Sequence, residues 1–202
     1  MVHFFRIKIF TFISLFIVLY TTSSLSRNTE YAFSEKNISN YFSGIILTNQ
    51  NYNNEAFKYL KKVQLLKDRH SRFNIEFIRT LVLLEKFDEA FIFSKSIWDE
   101  NEFFFEADLL LGLDSFKKKD YKNSEKYFER LNKTSRYNFF FDDLIGNVLI
   151  SWSQASQGNR EDSFRILEKI PKPYRHFTKT QNSFLKCYFD SSDTENSFEE
   201  IN

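Results

Sequence analysis

Three histidines, one cysteine and a few acidic pairs are the residues of this 202-residue chain that could carry chemistry. His3, His70 and His176 stand far apart, so no pair has the i, i+4 spacing at which a helix presents two ligands to one metal. Surface or packing roles are expected for them. Cys187 lies in the apolar run LKCYF without a partner histidine and acid, and reads as a buried structural thiol. Asp99-Glu100, Asp142-Asp143 and Glu199-Glu200 are adjacent pairs. Neighbours on a helix diverge by about 100°, so such pairs do not converge as an acid and a base. Asn37-Ile38-Ser39 and Asn132-Lys133-Thr134 match a glycosylation sequon, which an Asn-rich chain produces by chance. No G-x-S-x-G, P-loop or G-x-G-x-x-G pattern occurs. No catalytic, cofactor-binding or metal-ligating residue is expected.

What the chain does contain is material for helices and a core. Apolar residues make up 42% and charged residues 27%, which fits a globular chain and argues against disorder. Only four glycines and two prolines are present, too few for the many tight turns of an all-β fold. The formal charge of +1 gives no basic excess to draw nucleic acid. One cysteine excludes an intramolecular disulfide framework. Phe 26 is high, and with the abundant Asn, Lys and Ile it fits an AT-rich genome better than a ligand cage.

The first 26 residues read as an address. Arg6 and Lys8 precede a twelve-residue apolar stretch, 9–20, and a small-residue zone from Thr21 to Ser26. That is the layout of a secretory signal peptide. As a helix the stretch spans roughly 18 Å, against about 30 Å of bilayer hydrocarbon. Cleavage is therefore expected, with an uncleaved membrane anchor as the rival, because the uncharged run from Ile9 reaches Ser26. No cysteine follows for a lipoprotein anchor. Residues 27–36 are a short linker.

The remainder repeats. NYNNEAFKYL, KFDEAFIFSK, DYKNSEKYFE, NREDSFRILE and DTENSFEEIN align on the small residues Ala56, Ala90, Ser124, Ser163 and Ser197, spaced 34, 34, 39 and 34 residues apart. Twelve residues before each stand Gly44, Ile78, Gly112, Ser151 and Leu185. Small residues at two fixed places let paired helices approach closely. Between them the apolar spacing is helical: Phe73, Phe77, Leu81 and Leu84, for example, recur every three or four residues. Polar turns near 51–54, 85–88, 117–120 and 157–160 divide each unit into an antiparallel helix pair. The five extra residues of the long interval are expected as an irregular connection at 133–138.

A 34-residue helix–turn–helix unit with these small positions resembles the tetratricopeptide repeat (TPR). The unit from Ala107 to Leu131 carries Leu111-Gly112, Asp120-Tyr121 and Phe128 at the signature places. The family's helix A tryptophan is replaced by Asn40, Asn74, Asp108, Asn147 and Gln181, and its late proline by Asp68, Glu102, Arg136 and Arg175. An exported chain with such degenerate units is also similar to large repeat proteins of alphaproteobacteria. The expected fold is all-α: a right-handed TPR-like solenoid of about four and a half repeats behind a signal peptide. The repeat domain is 37–202, with units near 37–70, 71–104, 105–138, 144–177 and an incomplete 178–202. The second helix of that fifth unit begins near Asp193 or Thr194, leaving it few residues, and a truncated gene product is expected. Phe177, Phe184, Leu185, Tyr188 and Phe189 would then be partly exposed.

The resemblance implies a non-enzymatic scaffold of the bacterial envelope or periplasm, which binds a protein or peptide in a concave groove. Carried over unit by unit, the groove positions are Tyr41, Ile45 and Asn49; Arg72 and Arg79; Phe116 and Lys117; Trp152; and Asn182 and Lys186. No cofactor, metal or nucleic acid is implied. A membrane-anchored assembly factor and a fragment of a larger TPR-containing enzyme are the alternatives. The triplets Phe103–Phe105 and Phe139–Phe141 are expected to fill the core.

Overall fold

A computed structural model describes residues 33–138 and 143–201, with side chains given except at 135–138. The expected signal peptide, most of the linker, and the triplet Phe139–Phe141 lie outside the described residues. Every regular element among the described residues is helical. They are α1 (Glu35–Asn49), α2 (Asn53–Leu60), α3 (Ser71–Leu83), α4 (Phe87–Ile97), α5 (Phe105–Lys117), α6 (Tyr121–Asn138), α7 (Leu144–Ser156), α8 (Arg160–Leu167), α9 (Arg175–Tyr188) and α10 (Thr194–Glu199). Short 3-10 turns, Lys61–Leu66 and Lys172–Tyr174, follow α2 and precede α9. Contacts divide the chain into two compact units, one through Leu84 and one from Glu85.

The breaks fall where the polar segments predict them, and a backbone device recurs in each. Asn51, Glu85, Lys119 and Gly158 all adopt positive φ, from 57° to 83°, and each stands five residues before the small residue of the next helix. A left-handed residue just past a helix end satisfies its last carbonyls and turns the chain back. Asp190 plays the same part with φ of 50°, but seven residues ahead of Ser197, so the last turn is longer by two.

The small positions sit where helices cross. Ala56, Ala90, Ser124 and Ser163 are fully buried and Ser197 nearly so. In the first unit a β-carbon on Gly44 would lie 2.6 Å from Leu60 Cδ2. In the second, a β-carbon on Gly112 would overlap the Phe128 ring, which is itself fully buried. Helix A thus gives up a side chain so that a large residue four places past the small one can enter. Hydroxyls reinforce the same crossings: Ser124 Oγ donates to Gly112 O at 3.0 Å, and Ser151 Oγ to Ser163 O at 2.8 Å.

Three expectations need correction. Residues 133–138 are not irregular: α6 continues through them as one 18-residue helix, whose sequence contains neither Gly nor Pro to stop it. Leu185 is fully buried, packed in a core with Leu144, Ala155, Leu167 and Ile170. Cys187 is exposed, because it follows Leu185 by two residues and so points away by about 200°.

Candidate functional site

The positions where the family's tryptophan is missing turn out to organise the surface. In the first unit Asn74 is buried and donates Nδ2–H to Lys67 O at 2.8 Å, tying the start of α3 to the preceding turn. Two residues on, Glu76 is 1% exposed. Its Oε1 lies 2.7 Å from Arg72 Nη2, and its Oε2 lies 4.0 Å from Arg79 Nη1. A carboxylate that has lost its water must be met by cations. Both arginine side chains nevertheless remain more than half exposed. Beside them, the Tyr41 ring meets His70 edge-on at 4.8 Å. Burial pushes the Tyr41 phenol above its ordinary pKa, with Arg72 opposing and Glu76 reinforcing the shift. Three of the predicted groove residues, Tyr41, Arg72 and Arg79, are therefore gathered around Glu76. Ile45 is half-buried on α1, and Asn49 is exposed at its end.

In the second unit the same repeat position is Asp108, Asn147 and Gln181. Asp108 Oδ1 accepts from Trp98 Nε1–H and from Arg130 Nε–H, both at 2.9 Å. Arg130 spends its remaining donors on the carbonyls of Asp99, Glu100 and Glu102, and its guanidinium lies over the rings of Trp98 and Phe103. Burial raises the Asp108 pKa, against the pull of Arg130 and Trp98. This cluster closes the α4–α5 connection, with Asp108 and Arg130 themselves buried. Asn147 accepts from Asn132 at 3.0 Å, also inside. Both asparagines of the sequons, Asn37 and Asn132, are buried. Phe103, expected in the core, is 44% exposed, with Arg130 5.0 Å and Lys133 5.9 Å from its ring centre.

Gln181 is different, because it faces a half-exposed surface. Its Oε1 accepts from Trp152 Nε1–H at 2.8 Å, and Trp152 packs edge-on against Tyr188 at 5.7 Å. Asn182 and Lys186 lie one helical step away and instead line a groove of about 250 Å³ with Phe164, Glu168, Lys179 and Glu200. Lys186 is held 2.7 Å from Asp193, which keeps the Asp193 carboxyl below its ordinary pKa. Phe116 meets Tyr121 edge-on at 5.7 Å across the α5–α6 turn, where Lys117 is exposed. Trp152 thus shares no face with Asn182 and Lys186. A larger cleft of about 410 Å³, between α6, α7 and α8, is lined by charges of both signs, among them Glu125, Glu129, Lys133 and Lys169.

Glu76, His70, Gln181 and Tyr188 are site residues that the groove positions omit. The spacing of Arg72, Glu76 and Arg79 puts both arginines within a turn of the acid, which is a legible signal. Gln181 was visible only as a departure from the family pattern. Among the described residues no group of three or more His, Cys, Asp or Glu could hold a metal ion, and no helix is long and apolar enough to cross a membrane.

No family model and no curated protein matches the sequence. Solved structures do resemble the fold. MamA 41-end from Desulfovibrio magneticus RS-1 superposes with a TM-score of 0.66 at 15% identity, over 83% of this chain and 94% of that one. A MamA RS-1 double mutant gives 0.65 at 14%, over 83% and 93%, and MamA MSR-1 C2 gives 0.58 at 12%, over 83% and 97%. MamA is a TPR-like helical-repeat protein, and the likeness shows that this chain has an all-helical, TPR-like fold.

Proposed function

We propose that the chain is a non-enzymatic scaffold of the bacterial cell envelope. It binds a protein or peptide segment on the exposed faces of the first helices of its pairs. One observation carries the reading: Arg72 is exposed yet held 2.7 Å from the buried carboxylate of Glu76, with Arg79 4.0 Å from its other oxygen, beside the Tyr41–His70 rings. Side chains fixed in advance lose less entropy on binding. A guanidinium fork suits carboxylates and backbone carbonyls, and aromatic edges take apolar side chains. The Trp152–Gln181–Tyr188 set offers a similar mixture in the other unit. A TPR-like fold, whose members generally interact with proteins, supports this use.

The experiment is a pull-down from native envelope with the full chain and with the Arg72→Ala/Arg79→Ala variant. The parent is expected to retain a partner that the variant recovers at least about tenfold less well, with unchanged helicity by circular dichroism. Equal recovery would overturn the assignment of this surface. Export with cleavage after Ser26 is part of the same reading, supported by the order of charge, apolar stretch and small residues in 6–26. N-terminal sequencing of the exported protein decides between a start near Arg27 and an anchored chain that keeps Met1.

A further inference from the structure

We infer that Gln181 and Tyr188 of α9, with Trp152 of α7, form a seat for a proline-rich segment of the partner. The backbone itself marks the register that brings these residues together. Gly44, Ile78, Gly112, Ser151 and Ser183 each stand seven residues before the positive-φ residue just past the end of their helix: Asn51, Glu85, Lys119, Gly158 and Asp190. At three of the five a hydrogen bond marks the crossing: Gly112 O accepts from Ser124, and the hydroxyls of Ser151 and Ser183 donate to Ser163 O and Ser197 O. The last turn is longer by two residues, so the register of α9 is shifted by two against the small residue Ser197. Counted from the turn, Asn182 and Lys186 fall at the places of Phe77 and Leu81, which are buried, and not on the groove side of the helix. Gln181 falls at the place of Glu76, the residue that organises the arginines of α3.

An indole N–H can only donate, so the bond from Trp152 Nε1 to Gln181 Oε1 at 2.8 Å fixes which way the amide points. The two Nε2–H donors of Gln181 are left over and meet no acceptor among the described residues. Beside them the ring planes of Trp152 and Tyr188 stand 82° apart with centroids at 5.7 Å, a corner of two aromatic surfaces, and Tyr188 is 52% exposed. Both helices belong to the unit from Glu85 onward, and the corner uses neither Phe177 nor Phe184. A ligand must bring a carbonyl to Gln181 and an apolar body to the rings. It is offered no carbonyl in return, because Gln181 Oε1 is already taken. Most peptide residues carry an N–H beside their carbonyl, and covering that N–H unpaired is costly. Proline brings the carbonyl and an apolar ring without the N–H. A run of prolines is also ordered before it docks and so loses less entropy, which suits an aromatic-lined seat.

This inference rests on the reading that the first helices of the pairs bind a segment, and adds the kind of segment. The test titrates the full chain against a fluorescently labelled polyproline peptide, with a labelled Gly-Ser peptide of equal length as the comparison, and reads anisotropy. Polyproline is expected to bind at least about tenfold more tightly than the Gly-Ser peptide. Gln181→Glu keeps an oxygen for the indole N–H but loses both outward donors, and should weaken polyproline at least about tenfold with helicity unchanged. Tyr188→Ala should weaken it as much, whereas Tyr188→Phe, Asn182→Ala and Lys186→Ala should bind as the parent does. Should Tyr188→Ala unfold, Gln181→Glu carries the test alone. Polyproline bound no more tightly than the Gly-Ser peptide overturns the inference, as does tight binding that Gln181→Glu leaves unchanged or that Asn182→Ala abolishes. The Arg72→Ala/Arg79→Ala variant should bind polyproline as the parent does. If polyproline fails while that variant still loses the envelope partner, this inference falls and the groove reading stands. If polyproline behaves as expected while that variant keeps the partner, the arginine surface falls and this seat stands.

Discussion

In the α5–α6 hairpin a hydroxyl on the second helix, Ser124, donates to a carbonyl on the first, Gly112. In α9–α10 the donor is on the first helix, Ser183, and the acceptor is Ser197 O at 2.8 Å. Both bonds mark the helix crossing. Beyond it the two hairpins part. α6 runs on for 18 residues and carries Phe128 against Gly112 and Arg130 against Asp108. α10 runs for six residues, and in its hairpin Phe177 is 61% exposed and Phe184, edge-on to Phe198, 46%. The crossing is set by small residues and one hydrogen bond, whereas the cover of helix A depends on what the later turns of helix B bring. Local stability in a repeat fold should follow that cover.

The sharpest way to break the contrast is to remove Arg130. Its side chain and that of Asp108 are 7% and 0% exposed, so Arg130→Ala strands a buried carboxylate and should cost about 3–5 kcal/mol. Gln181→Ala, at the same repeat position in α9, should cost about 1 kcal/mol, the value of one hydrogen bond from Trp152. Equal losses in denaturant melts would mean that the ion pair contributes no more than a neutral contact. The sign with pH is also fixed. Because the folded pKa of Asp108 lies above the unfolded value, its favourable proton uptake is fully present below the unfolded value. That contribution is lost as pH rises through the folded value. Stability of the parent relative to Asp108→Asn should therefore fall across that window, and a rise would sink the argument.

Next in size is the crossing itself. Gly112→Leu forces a side chain into the Phe128 ring, which is enclosed and cannot move aside, and should cost about 1–3 kcal/mol. Ser124→Ala and Ser197→Ala should cost at most about 1 kcal/mol, since Ala56 and Ala90 fill the same position. A melt of Gly112→Leu that matches the parent would remove the crossing from its place in the repeat.

The repeat was readable because steric needs leave small residues at fixed intervals, and Ala56, Ala90, Ser124, Ser163 and Ser197 are all buried as their spacing requires. The length of α6 was less so. A longer interval tells that residues are inserted, and only the lack of a breaker between Tyr121 and Asn138 tells that they join the helix. Exposure of Cys187 was hidden by its apolar neighbours, because a run such as LKCYF spans more than one face of a helix. The site was legible in parts. Arg72 and Arg79 stand at helical steps from Glu76, but the partner of Trp152 is 29 residues away on another helix, and no local pattern links them. Asp108 and Glu102, where the family's tryptophan and proline are missing, are both held by Arg130, a long-range bond that spacing does not reveal.

The smallest effect separates the two turns. Lys119, between α5 and α6, and Asp190, between α9 and α10, hold φ of 62° and 50° without being glycine. For most side chains the left-handed region costs roughly 1–2 kcal/mol, whereas Asp visits it at less cost because its short polar group bonds locally. Glycine removes that cost in the fold but frees the unfolded chain, which takes back about 0.4–1 kcal/mol. Lys119 uses its backbone N–H, bonded to Phe116 O at 2.9 Å, and glycine keeps that bond. Lys119→Gly should therefore stabilise the chain by several tenths of a kcal/mol to about 1 kcal/mol. Asp190→Gly recovers little strain and pays the same entropy, so it should leave stability unchanged or slightly lower. Thermal melts of the two variants decide it: for a chain of this size the first should rise by up to about 2–4 °C, and the second should not rise. If Asp190→Gly proves the more stabilising, the last turn is the more strained of the two, and the loose end of the α9–α10 hairpin begins at its turn rather than in its short second helix.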